Sequence, residues 1–145
     1  MAQRDYILRM IEQMGEILIA LRNTIVGGTA SARIIEEKLE AAASQSGLDL
    51  GLARAASPET IQMMVAPMGE VEPGRCWLVA EILYLDGLHA QLDGRSDEAD
   101  ASFRKSLPLY VMLEPRGLFL GIPEAPERIR EIEERLASLS VNGRG

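Results

Sequence analysis

A single cysteine, Cys76, and a single histidine, His89, are all that this 145-residue chain holds of the two side chains most used for metal binding and nucleophilic chemistry. One thiol excludes an intramolecular disulfide and any multi-cysteine metal site, and it suits a reducing cytoplasm. No base stands near Cys76 in sequence to activate it, so it reads as a buried structural thiol. Aromatic residues are scarce at 4%, while 47% of the chain is hydrophobic. The core must therefore be built from Leu, Ile, Met and Ala, as in helical bundles. Basic charge is short as well: 15 Lys and Arg against 22 Asp and Glu leave a net charge of -7. That balance argues against nucleic acid and against an anionic membrane surface as partners. No apolar run approaches the roughly 20 residues that span a bilayer. Glu12, Gln13 and Glu16 interrupt the apolar N-terminus, which leaves no signal-peptide core. The glycines form neither of the common phosphate-binding loop patterns.

What is present is helical periodicity. The organising stretch runs from Cys76 to Tyr110 and reads as two antiparallel helices joined at Gly94. Trp77, Ala80, Leu83, Tyr84, Gly87, Leu88 and Ala90 recur at steps of three and four, which puts them on one broad helical stripe. Ser96 is placed to cap the second helix, with Asp97 and Glu98 where the helix dipole favours negative charge. Ala99, Phe103, Ser106 and Leu107 form its inward face. Small residues at Gly87, Ala90 and Ala99 allow close approach of the two backbones, and Phe103 fills the space beside them.

This hairpin resembles one tetratricopeptide (TPR) repeat, a helical-hairpin unit of about 34 residues used for protein-protein contact. Leu83, Gly87, Ala90, Ala99, Phe103 and Ser106 match the repeat's large, small and aromatic positions, whereas Asp86 and Val111 depart from it. By that resemblance, Glu81, Tyr84, Leu88, Gln91 and Leu92 would form a protein-binding groove. Together with the opening DYILRMIEQMGEIL and the short Leu-rich and Ser-Pro-Glu pieces, residues from about Asp5 to Tyr110 resemble a family of small bacterial helical proteins, a domain of unknown function. The resemblance implies a bacterial helical protein and brings no catalytic residues.

Elsewhere, Ile7, Ile11, Met14, Leu18, Leu21 and Ile25 make a heptad seam on a long first helix ending at Gly27 and Gly28, widened by Tyr6, Met10 and Ile17. The seam serves either a bundle core or the interface of a two-fold homodimer. Thr29 or Ser31 caps a second helix with Ile34, Ile35 and Leu39 inward and Glu36, Glu37 and Glu40 on a charged outer face. Two short helices follow, one near residues 48–55 and one capped by Ser57 with Pro58 first, burying Met63, Met64 and Val65. Pro108 kinks the second hairpin helix or breaks it after Leu107. Leu118, Phe119 and Leu120 tuck a loop onto the core. A last helix from about Glu124 to Leu139 carries Ile129, Ile132, Leu136 and Leu139 on one face, with a frayed tail over 140–145.

The expected architecture is a single all-α domain over residues 1–145: a helical bundle with one TPR-like hairpin between a long N-terminal and a C-terminal helix. Its expected function is protein-protein interaction or scaffolding, as a homodimer or with another protein or peptide, and not catalysis; no cofactor is implied. The alternative rests on Asp86 and His89, three residues apart on one helical face, as part of a metal, small-ligand or acid-base site.

Overall fold

Residues 73 to 92 are the axis of the molecule, and nearly every side chain along them is buried. In the computed structural model, which describes residues 2–114 and 125–142 (side chains of residues 2–8 and 142 excepted), seven helices occur and no strand. They are α1 (Ala2–Gly27), α2 (Ala32–Gln45), α3 (Leu50–Ala55), α4 (Pro58–Val65), α5 (Pro73–Leu92), α6 (Ser96–Leu113) and α7 (Ala125–Asn142). A helix apolar on one stripe needs one neighbour, but α5 is buried on all sides and packs most closely on α6, α1, α2 and α4. α7 packs mainly on α6. Buried side chains of all seven helices join in one core cluster, and no described helix is long and apolar enough to cross a membrane.

Local chemistry accounts for the helix starts. The hydroxyl of Ser31 accepts from the Ile34 N–H, Asp49 accepts from Leu52 and Ser57 from Thr60, each capping its helix. Pro58 and Pro73 occupy first turns, where no N–H is needed. The α5–α6 turn depends on Gly94, whose φ of +80° is easy only without a side chain. Arg95 rather than Ser96 is the N-cap residue of α6, and it holds the turn by ion pairs to Asp93 and Glu98. Of the two outcomes expected at Pro108, a break after Leu107 does not occur, because α6 runs on to Leu113.

Close packing explains the small residues. A Cβ on Gly87 would stand 2.8 Å from two ring carbons of Phe103, so the crossing of α5 and α6 has no room for a methyl. Gly15 faces Trp77 less tightly, since a Cβ there would stand 3.4 Å from the indole edge, an ordinary packing contact. The seam of α1 proves internal: Ile11, Met14, Leu18, Leu21 and Ile25 are all buried within one chain, because α5 and α2 cover them. The side chain of Ile7 lies outside the described residues, as do those of Tyr6, Leu118, Phe119 and Leu120.

Other inward assignments shift by a residue or two. On α2 the buried stripe is Ile35, Leu39, Ala42 and Ala43, and Ile34 is exposed, since the two alanines carry the contact. On α4 it is Ile61 and Val65, while Met63 points to water. The C-terminal helix continues through the first part of the expected frayed tail, to Asn142. Its face is as expected, with Ile132 and Leu139 buried and Ile129 and Leu136 packed against the core.

Candidate functional site

Two polar regions flank α5, and each uses carboxylates of that helix. The first is the face expected to be a protein-binding groove. Glu81, Tyr84 and Leu88 are buried there, Gln91 is half-buried and Leu92 is exposed. The helix α7 fills this face, so in this fold it is occupied from within the chain. Arg128 donates from Nε to Glu81 at 3.0 Å and lies over the Tyr84 ring, 4.1 Å from its centre. Tyr110 donates to the same Glu81 carboxylate. Tyr84 donates to Glu131 at 2.5 Å and accepts from Arg22 of α1 at 2.9 Å. Arg135 joins Glu131 at 2.9 Å to Gln91 at 2.8 Å. Burial pushes the Glu131 carboxyl up, but the hydrogen bonds from Tyr84 and Arg135 outweigh it and hold the group below its ordinary value. Burial raises the phenols of Tyr84 and, more strongly, of Tyr110, so both remain donors. Every member has a partner, which is the condition for a buried polar network to hold a fold together.

The second region is an open cleft of about 490 Å³ between α2, α3, α5 and α6. Its wall is built round Arg54. This guanidinium grips Asp86 with two hydrogen bonds, at 2.7 and 3.1 Å, and Glu36 with two more, at 2.6 and 2.9 Å. Ser102 donates to Asp86 at 3.2 Å. Arg54 holds Glu36 below the ordinary carboxyl value, so Glu36 is more than part of a solvated face. Lys105 is also buried, and its ammonium donates to the Ala53 and Arg54 carbonyls, where the C-terminus of α3 attracts a cation. Burial lowers its pKa.

His89 is buried in the same cleft, and its imidazole makes no hydrogen bond among the described residues. Burial and the nearby Arg95 lower its pKa, so the imidazole is neutral at pH 7. The Asp86–His89 pair does not converge as metal ligands. Asp86 is committed to Arg54 and Ser102, and no group of three His, Cys, Asp or Glu side chains among the described residues could hold an ion. Cys76 is buried, and its thiol donates to the Leu109 carbonyl at 3.4 Å.

Sequence reasoning found Asp86 and His89 but missed Arg54, Lys105 and Arg128. A lone basic residue on a helix carries no sign of which carboxylate it will meet. A weak signal existed for Arg54: it closes a short helix whose other long side chains are leucines.

A third feature is a shallow groove of about 260 Å³ between α1 and α2, where Ile17, Ala20 and Thr24 face Lys38, Ala41 and Gln45. Compared with family models, curated proteins and solved structures, the chain matches none of them.

Proposed function

We propose that this chain is an all-α interaction module that works by contact with protein, that its α5–α6 hairpin is a TPR-like unit, and that a second copy of itself is its first partner. The observation that carries self-association is the surface left on the first two helices after the core is filled. Ile17 remains 43% exposed although the seam beside it is sealed. It borders the apolar groove between α1 and α2, where Ala20 and Ala41 leave room for a partner's backbone. In a two-fold dimer one patch serves both copies, with Ile17 of each entering the groove of the other. The TPR-like reading is supported by Gly87 packed against Phe103, the small-against-aromatic crossing that the repeat uses. A cytoplasmic, reducing setting goes with the lone buried thiol of Cys76.

Light scattering behind size exclusion, over a wide concentration range, tests the reading. Wild type should be dimeric and Ile17→Glu monomeric with unchanged helix content. Leu18→Glu is the contrast: its site is 1% exposed, so it should unfold the chain rather than split a dimer. A wild type that stays monomeric, or an Ile17→Glu variant that stays dimeric, removes this groove from self-association.

A further inference from the structure

The cleft round Arg54 is lined by four cations, and three are engaged. Arg54 is taken by Asp86 and Glu36, Arg95 by Asp93 and Glu98, and Lys105 by two carbonyls. Arg33 makes no ion pair or hydrogen bond among the described residues. It stands in the first turn of α2, where the helix dipole disfavours a cation, and that turn holds no acidic residue. Ser31 caps the end of α2, but no negative charge offsets its dipole where Ala32 and Arg33 line the cleft.

His89 supplies an independent observation. It is only 5% exposed, fronts the same cleft, and its imidazole has no hydrogen-bond partner among the described residues. Its ring nitrogens are not among the fully sealed atoms that lack partners, which are Ser46 Oγ and Trp77 Nε1 among the described residues. His89 lines the cleft, where those nitrogens can meet solvent or a ligand. A side chain this deeply buried with no protein partner has its N–H to offer to water or to a ligand in the cleft.

We propose that the cleft binds a small oxyanion, a carboxylate or phosphate group, between Arg33 with the N-terminus of α2 and the imidazole N–H of His89. This site is separate from the α1–α2 groove and does not depend on the protein-contact reading. Carboxylates in the cleft oppose an anion, so their balance matters. Glu36, Asp86, Asp93 and Glu98 are offset by Arg33, Arg54, Arg95 and Lys105, and the wall is neutral before any ligand arrives. The dipole of α2 and the donor on His89 then tip it toward an anion. Groups facing His89 are Glu36 of α2, Asp86 of α5 and Asp93 and Arg95 of the turn, with Arg54 of α3 and Lys105 of α6 on the same wall. An anion beside the ring favours its protonated form, so binding should tighten as the pH falls.

His89 is the chain's one histidine, so its imidazole signals in NMR belong to it alone. The test is titration of the labelled full-length chain with sodium phosphate and with sodium acetate, at ionic strength held constant by chloride. Expected are saturable shifts at His89 and at the Ala32 and Arg33 amides, a raised His89 pKa, and affinity about tenfold weaker in Arg33→Gln. Saturation by phosphate alone assigns a phosphoryl ligand, by acetate alone a carboxylate, and by both an oxyanion in general. The proposal is overturned if neither anion saturates, if chloride matches them, or if Arg33→Gln binds as tightly as wild type.

Discussion

Glu81 and Asp86 lie five positions apart on one buried helix, and each is gripped by an arginine from another part of the chain. The Glu81 side is closed. Arg128 is 14% exposed, and Tyr110, Tyr84, Glu131 and Arg22 fill the remaining polar valences around it. The Asp86 side is open. Arg54 is 35% exposed, with His89 and Arg33 beside it unbonded among the described residues. Both regions pair carboxylate with guanidinium, yet their physics differs. Both carboxylates are sealed, each side chain 6% exposed, so the difference lies in the arginine: removing Arg128 leaves a gap inside the packed helices, whereas removing Arg54 lets water from the cleft reach the carboxylate it leaves. Holding the fold together therefore falls to the Glu81 side, and the Asp86 side is left with capacity to bind.

The sharpest way to break this contrast is to remove one cation from each side. Arg128→Ala strands the Glu81 carboxylate in the interior and should destabilise by about 3–5 kcal/mol. Arg54→Ala leaves Asp86 with Ser102 and with water from the cleft, and should cost about 1–2 kcal/mol. Urea denaturation of the two variants measures the difference. Equal losses would mean that the cleft is as structural as the α7 side.

Gly87 sits between the two regions, where α5 crosses α6. Gly87→Ala should cost about 1–3 kcal/mol by overpacking against Phe103, and Gly87→Ala with Phe103→Leu should recover part of it. Thermal denaturation of the single and double variants reads this coupling. Full additivity would place the strain elsewhere.

The acid limb separates the regions least, but its sign is definite. Glu131 on the closed side and Glu36 on the open side both have carboxyls held below their ordinary value of 4.5. Each contributes stability that is complete above that value and is lost as the pH falls through the folded pKa. His89 acts earlier. Its folded pKa lies below the ordinary 6.5, so the unfolded chain takes up a proton first and stability declines as the pH drops below that point. In His89→Gln this first, small decline should vanish while the carboxylate loss remains. A pH series of denaturation midpoints that is identical in the two proteins would show that His89 is not buried in its neutral form.

The elements of the fold were legible because their causes are local. Ser31, Ser57 with Pro58, and Gly94 mark ends through bonds to residues a few positions away, and the hairpin stripe shows in the spacing of its own side chains. Outward and inward residues were read less well where alanines carried the packing. On α2, Ile34 looks like core by size, but Ala42 and Ala43 set the face that meets the bundle. The seam from Ile11 to Ile25 was legible as apolar and illegible as to its occupant, since a core stripe and a dimer stripe share one period.

The sequence by itself determined an all-helical chain, most of the places where its helices start, and the close crossing at Gly87, while the ends of the last two helices were left open by Pro108 and the tail after Leu139. Tertiary structure alone decided which charges meet. Arg54 reaches Asp86 across 32 residues and Arg128 reaches Glu81 across 47, and no spacing rule links positions so far apart. Nor could the chain in one dimension tell a guanidinium sealed over its carboxylate, as Arg128 is, from one that borders a cleft, as Arg54 does. That depends on which surfaces are brought together, and the loss of water at those surfaces separates the closed network of α7 from the open cleft at His89.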